Sequence, residues 1–476
     1  MTPRYQQLAD ELAGMIAQGA LRAGDRLPSV RQTCRSRGLS AATVFQAYHQ
    51  LEARGLVQAA ARSGYFVSAH AGAAPSPSRQ APAAQAAEAA PPTISEQIFE
   101  LLQSSRERGL LPLGSAFPAT ELFPLERLRL ALGAGMRKLE PWQISAELPL
   151  GLETLRRQIA LRYLRLGLSV APDDIVITNG ALEALQLCLQ TVTRPGDAVL
   201  VESPCFYAAL QALERFGLKA IEVPTDRAEG ADLRAMARLI AQHRPRACWL
   251  MSSFQNPLGC TLPPDKKRAL VALLEAEGVA LIEDDVYAEL HHGAEPVLPA
   301  KAYEQRGGVL HCGSFSKCLA PGYRIGWALG GRWAPQLQRS KLMSSLSSSL
   351  PAQAALAEYL QDGSFDAHLR RLREALARQM RSMTAALARH MPAGSRVSQP
   401  AGGYFLWLEL PAGCDSLALL PLAREQGFSL APGPLFSAQG EFAACLRLNC
   451  GHPWSPTWEA AIAALGEMAR AQLAQR

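Results

Sequence analysis

The chain has 476 residues, with 48 Lys and Arg against 42 Asp and Glu and a formal charge of +6. That length is too great for one ordinary domain, and ten cysteines scattered through it do not make the dense pattern of a disulfide scaffold. No uncharged stretch reaches the length of a membrane span, and no basic region followed by an apolar run opens the chain, so a soluble cytoplasmic protein is expected. Cys188, Cys248, Cys312 and Cys445 sit in apolar contexts, and His291-His292 is too sparse a signal for a metal cluster, so no metal is expected.

In chain order, Tyr5 to Ala17 sets Leu8, Leu12, Met15 and Ile16 on one stripe, which predicts an amphipathic helix. Leu27-Pro28-Ser29-Val30-Arg31 opens a second helix, capped by Ser29. After Gly38, Ser40 caps a third, running through Thr43, Val44, Ala47, Tyr48, Leu51 and Glu52 to Gly55. Two short helices joined by a glycine-containing turn read as helix-turn-helix, and Leu56-Val57 with Ser63 to Val67 supplies two strands of a wing. Residues 1 to 70 hold eight arginines (4, 22, 26, 31, 35, 37, 54 and 62) against four acids (10, 11, 25 and 52), so most of the excess positive charge lies here. Such charge neutralises nucleic-acid phosphates without choosing a sequence, and a basic face for a protein partner is the alternative.

This segment resembles the winged helix-turn-helix domain of the GntR family, through Leu-Pro-Ser-x-Arg, the Ser40 to Gly55 helix and the Gly64 wing. The resemblance implies double-stranded DNA as partner. It also implies that Arg31 contacts a phosphate or base edge, that Ser40 and Thr43 begin the recognition helix, and that Arg62 and Gly64 sit in the wing. Phe45 stands where many relatives place a polar or basic reader; it either touches a thymine methyl or is buried against the first helix.

A winged helix over 1–68 is followed by an Ala/Pro-rich segment, 69–93, with almost no large apolar residue, which predicts a flexible linker with some helix between Ala81 and Ala90. Ile94 through Leu102 resumes an amphipathic pattern. Ile175 to Leu185 reads as strand, tight turn at Asn179-Gly180-Ala181, then helix, whose start offers free backbone N–H groups to a phosphate. Phe254-Gln255-Asn256-Pro257-Leu258-Gly259 follows the apolar Cys248 to Met251, and Leu281 to Tyr287 is an apolar run ending in acids, as in a parallel strand feeding a site. Gly313 to Trp327 then presents Lys317 among Ser314, Ser316 and Arg324. An acid for a pyridinium nitrogen (Asp284), two groups for a phenolic oxygen (Asn256 and Tyr287) and a lysine for a Schiff base make one set of parts for pyridoxal 5′-phosphate (PLP).

Residues from about 112 to 470 resemble the aspartate aminotransferase-like, fold-type I family of PLP enzymes. The resemblance implies that Lys317 is the catalytic, cofactor-bearing lysine and Asp284 the ring-nitrogen partner, with Asn256 and Tyr287 on the 3′-oxygen. Asn179, Gly180, Ala181, Ser314, Ser316 and Arg324 fall on or near the phosphate cup, and Phe206 on the aromatic stacked over the ring. Arg447, in Leu446-Arg447-Leu448-Asn449, falls on the arginine that grips a substrate α-carboxylate; a guanidinium fork suits that task. Gly402 to Leu408 resembles the small-domain strand. One position departs: Gly151-Leu152-Glu153-Thr154-Leu155-Arg156 is preceded by Ala146 where many members carry a tyrosine reaching the neighbouring subunit's phosphate. That bears on aminotransferase competence more than on cofactor binding.

The expected fold is therefore α/β: a winged helix joined by a linker to a PLP-dependent transferase-like fold over 94–476. Its large part is expected over about 130–345 and its small part from about 94–129 plus 346–476. The module order resembles the MocR subfamily of GntR regulators. That implies a homodimeric transcriptional regulator that senses PLP or an amino compound. An active aminotransferase carrying the winged helix as an appendage is the alternative, and a regulator that has lost the cofactor is a third.

Overall fold

In the computed structural model, which describes residues 3–17, 21, 24–60, 64–68, 109–145, 150–361 and 363–475, the N-terminal apolar stripe becomes helix α1 (Arg4–Ala17). Leu8, Leu12 and Ile16 are buried, and Met15 at the margin is partly so. Helices α2 (Val30–Arg37) and α3 (Ala41–Ala53) start where their serines dictate: Ser29 Oγ accepts from Gln32 N and Ser40 Oγ from Thr43 N, both at 3.2 Å. Buried Tyr48 ties the two helices, donating to Pro28 O at 2.8 Å and pairing with Thr33 Oγ1 at 2.7 Å. Strands β1 (Val57–Ala60) and β2 (Gly64–Val67) pair antiparallel, Val57 opposite Val67, as the wing. Phe45 corrects one expectation: it is 53% exposed, so it is not buried against α1. Val44 and Ala47 fill the inner face of α3 instead, which leaves position 45 on the outer one.

Residues 1–78 and 79–476 form two units. The second contains an eight-stranded sheet of β3 (Ile175–Thr178), β4 (Ala198–Ser203), β5 (Lys219–Asp226), β6 (Gly230–Ala231), β7 (Ala247–Leu250), β8 (Ala280–Asp284), β9 (Val309–Ser314) and β10 (Gly326–Leu329). The order is β3-β10-β9-β8-β7-β4-β5-β6. From β9 through β5 all pairings are parallel, while β10 runs antiparallel between β3 and β9. Strands β3, β7, β8 and β9 are buried along their whole length, as covered parallel strands require. One face packs helices α6 (Ala181–Val192) and α7 (Tyr207–Arg215). The apolar sets of α4 (Leu125–Arg137), α5 (Glu153–Arg165), α11 (Leu350–Gln361) and the start of α12 (Ser364–His390) join Ile175 and Ile177 in a second cluster. Helices α8 (Leu233–His243), α9 (Pro264–Ala276) and α10 (Ala334–Ser345) complete the cover.

A four-stranded antiparallel sheet, β11 (Arg396–Val397), β12 (Phe405–Glu409), β13 (Ala431–Pro432) and β14 (Cys445–Asn449), has the order β11-β12-β14-β13. Leu406, Leu408, Leu446 and Leu448 meet Met383 and Leu387 of α12 and Ile462 and Leu465 of α13 (Pro456–Ala474). Leu113 is buried in this same cluster, and Leu111 N donates to Gly427 O at 2.8 Å, which fixes the segment leading to Gly114–Phe117. The cysteines form no disulfide, and nine of the ten are buried. Among the described residues no helix is long and apolar enough to cross a membrane.

Leu51, fully buried in the first unit's separate core, tests the independence of that core. Leu51→Ala should cost about 2–5 kcal/mol there. In calorimetry an early transition should then separate from the main one, which keeps its midpoint; a uniform shift of a single transition would show that the units unfold as one.

Candidate functional site

The parallel strands deliver their ends to one edge, and with them a concentration of buried polar groups. Asp284 closes β8 and is 1% exposed; its Oδ1 has no hydrogen-bond partner among the described residues. Burial raises its carboxyl to about 7, against the pull of the Val286 N–H and the charge of Lys317. Lys317 follows β9. Desolvation, joined by the positive charge of Arg447, lowers its amine to about 7, with Asp284 opposing. Its Nζ donates to Ala116 O at 2.8 Å and lies 3.9 Å from the Phe117 ring centroid and 5.9 Å from that of Tyr287. Tyr287 meets Tyr404 edge-on at 5.6 Å, and Tyr404 donates to the same Ala116 carbonyl at 3.1 Å.

Asn256 is 1% exposed; its Oδ1 accepts from Arg447 Nη1 at 3.1 Å while its Nδ2 has no partner among the described residues. Arg447 stands in the middle of β14, between the rings of Phe405 (4.6 Å) and Phe436 (5.2 Å). Its Nη2 donates to Gly114 O at 2.6 Å, and its Nε is buried and unpaired among the described residues. Phe206 caps the entrance to α7, partly buried, with its ring 5.0 Å from Tyr207.

At the other end of the site the glycine chemistry is steric. Gly180 has φ +82°, and a Cβ there would stand 2.4 Å from Arg324 Nη2. At Gly326 a Cβ would stand 2.6 Å from the Gly180 carbonyl carbon and 2.7 Å from Ala181 N, so β10 can lie under the start of α6 only without a side chain. Arg324 Nη1 donates to Ser316 Oγ at 3.2 Å. Ser314 Oγ holds the turn itself, accepting from Ser316 N at 3.0 Å and donating to Ile325 O at 3.2 Å. Gly180, Ala181, Ser314, Ser316 and Arg324 thus converge. Asn179 does not join them: it is exposed and its amide turns to Glu183 Oε1 at 3.3 Å. Glu183 is held there by buried Lys341 at 2.9 Å, an ion pair between residues 158 apart in sequence that sequence reasoning missed.

Ala116 and Phe117 were missed too, because the first acts through a backbone carbonyl, which carries no residue signal. Tyr404 and Tyr207 had a signal: Tyr404 follows a Gly-Gly pair and Tyr207 follows Phe206, and each ends against Arg447 or its neighbours. On the first unit, Arg31, Ser40 and Gly64 are exposed and Thr43 is half-buried. Arg37 and Arg54 are spent on Glu11 and Asp10 of α1, whereas Arg31 has no acidic partner among the described residues. Arg62, Ala146, the 69–93 segment and Ile94–Leu102 lie outside the described residues.

With this geometry in hand, comparison with known proteins is specific. A family described as aminotransferase class I and II matches residues 148–465, and one described as bacterial regulatory proteins, gntR family, matches residues 4–67. The chain is 46% identical to the uncharacterized HTH-type transcriptional regulator YdcR of Escherichia coli K12, over 99% of this chain and 100% of that one. It is 35% identical to a second such E. coli regulator, YjiR, over 98% of both. Among solved structures, the kynurenine aminotransferase of Pyrococcus horikoshii superposes with a TM-score of 0.74 at 29% identity, covering 79% of this chain and 95% of that chain.

The incompletely compensated Asp284 carboxylate has a measurable cost. Its folded value of about 7 exceeds the ordinary 3.8, so folding disfavours the charged form. The penalty is absent below the ordinary value, grows as pH rises toward 7 and is full above it. Asp284→Asn should therefore stabilise cofactor-free protein at pH 8 by about 2–4 kcal/mol in urea unfolding, and the gain should shrink as pH falls through 7. A variant less stable than the parent at pH 8 would show that the carboxylate is well compensated.

Proposed function

Since the chain belongs to the MocR-type GntR regulators, a winged helix fused to a class I and II aminotransferase-like domain, we propose that it binds PLP through Lys317 and adjusts its hold on operator DNA when an amino compound enters the same site. The observation that carries this reading is the pair of buried atoms without a hydrogen-bond partner among the described residues, Asp284 Oδ1 and Asn256 Nδ2, beside a lysine whose amine is lowered to about 7. An acceptor for a ring nitrogen and a donor for a phenolic oxygen are what the pyridoxal ring would satisfy. When bound, PLP supplies an electrophilic carbon that holds an amine covalently and withdraws electrons from it.

The chain's own groups do the rest. Lys317 is half deprotonated near neutrality and so has the free electron pair that attachment needs. Asp284 would pair with the ring nitrogen and help hold a proton there. Asn256 and Tyr287 would hold the phenolic oxygen, and Phe206 would cover the ring. The N–H of Ala181, with Ser316 and Arg324, would receive the phosphate, while Gly180, whose N–H donates to Thr178 O, Ser314, whose hydroxyl donates to Ile325 O, and Asn179 would shape the turns around it. Arg447, dehydrated between two phenyl rings, exchanges its Gly114 carbonyl for a ligand carboxylate, which limits effectors to amino acids and their close analogues. Arg31 and Arg62 meet DNA phosphates, and Ser40, Thr43 and Gly64 border the contact.

The protein acts as a homodimer in the cytoplasm. Two-fold pairing suits a two-half-site operator. Exposed Leu130, Trp142, Ile144, Met343 and Leu346 on the second unit supply apolar surface for such an interface. Transamination is the second reading, favoured by the lowered amine of Lys317, which could serve as a base toward a bound amino acid. Rapid, complete conversion of an amino acid together with failure to enrich any discrete genomic site would establish it.

Borohydride reduction of PLP-loaded protein should fix the cofactor on the Lys317 peptide and on no peptide in Lys317→Ala; attachment should speed up as pH rises through about 7, where the amine becomes neutral. Label on another lysine would refute the assignment. Arg31→Ala and Arg62→Ala should each weaken operator binding and reduce its salt slope by about one, leaving PLP attachment intact. Unchanged slopes would remove these side chains from the phosphate contact.

A further inference from the structure

Asp284 and Asp285 are consecutive, and adjacent residues at a strand end face opposite ways. Asp284 turns to the Lys317 side. Asp285 turns to the other, into a cavity of about 670 Å³, open mouth included, that no role described so far uses. The turn that carries Lys317 forms its partition, contributing Ser314, Phe315 and Cys318 to the lining.

This cavity is built rather than left over. Its outer wall, the 296–299 loop, is held by buried Lys267, whose Nζ donates to Leu298 O at 2.7 Å, and by Glu283, which accepts from the Ala300 and Lys301 backbone N–H groups. Glu283 also receives His311 Nδ1 at 2.9 Å and bonds to Ser252. Burial would raise the Glu283 carboxyl, but the bond and charge of His311, with Lys267, hold it well below its ordinary value. The interior anion is therefore fixed and compensated before any ligand arrives.

Asp285 is compensated less fully: burial raises its carboxyl to about 7, against the charges of His311 and Lys267 and a hydrogen bond from Ser253. Its side chain is 6% exposed, its Oδ2 stands 3.8 Å from His311 Nε2, and its Oδ1 has no partner among the described residues. The other polar groups of the lining are committed. Arg162 gives Nε and Nη2 to Glu289 and Nη1 to Asp366, and stacks on Phe365 at 4.4 Å. Trp327 Nε1 donates to Tyr163 Oη at 2.7 Å. With its guanidinium neutralised, the lining offers an anionic ligand no free Lys or Arg among the described residues; what it offers is a carboxylate oxygen at the end of an apolar chamber of Ile159, Leu166, Val286 and Val297. A buried carboxylate oxygen without a donor is costly, and a cationic N–H group is its strongest complement.

We propose that this cavity is a second small-molecule site, on the reverse side of the Asp284–Lys317 centre, for a small cation with an apolar body: an aryl or alkyl amine or amidine whose N–H groups meet Asp285. Its apolar lining with one polar anchor is the usual make-up of a small-ligand pocket. The site needs neither PLP nor DNA, so it stands apart from the reading of Lys317 given above.

Benzamidine carries both features and is a poor partner for an aldehyde. In calorimetric titration the full-length protein should bind it saturably at one site per chain. Asp285→Asn should weaken binding about tenfold or more, the weight of a charge-assisted hydrogen bond. Val297→Trp, which fills the chamber from its rim and leaves Asp285 in place, should abolish it, whereas Lys317→Ala should bind within about twofold of the parent, since Lys317 is across the partition. No saturable binding to the parent, binding retained in Val297→Trp, or binding lost in Lys317→Ala would each overturn the proposal, the last by placing the ligand in the Lys317 site.

Discussion

The second unit is organised around the cost of burying Asp284 and Lys317 together at the carboxyl ends of parallel strands. In that low-dielectric edge both groups are pushed toward their neutral forms, to about 7 from opposite directions. A site so arranged is chemically poised because it is under-satisfied. The protein supplies most of the hydrogen bonds such groups want elsewhere, with Glu283 paired four ways, and withholds them at Asp284 Oδ1, Asn256 Nδ2 and Arg447 Nε. Stability is traded for a centre that a complementary ligand completes.

The same constraint explains the packing around it. The edge could not be kept dry with side chains at Gly180 and Gly326, because α6 must start directly over β10. It could not be closed from the small sheet without the Gly114–Phe117 segment, whose carbonyls take the donors of Arg447, Lys317 and Tyr404. One stretch of backbone thus touches both Arg447 and Lys317. An occupant that claims either group must release a carbonyl of that segment, a physical route from chemistry to conformation within the unit.

The first unit obeys simpler rules. Two serine caps, one αL glycine and one buried tyrosine set its helices, and ion pairs from α1 to Arg37 and Arg54 decide which arginines remain free. The reach of sequence reasoning was greatest here, because caps and stripes act within a few residues. It fell short at Phe45, where two faces of one helix were equally consistent with the pattern and packing chose the outer.

Local chemistry, then, was determined by the sequence alone: the winged helix, the α/β order, and the residue types at positions 256, 284, 287, 317 and 447, since each lies in a motif whose spacing is set by strand and turn geometry. Tertiary structure decided what depends on residues distant in the chain. Lys341 holds Glu183, to which Asn179 turns; Ala116, about 200 residues before Lys317, supplies its acceptor; and the opposite facing of Asp284 and Asp285 sets one beside Lys317 and the other in a separate cavity. Charges and backbone carbonyls brought together by folding have no period in the sequence, because what selects them is the desolvation they share in three dimensions.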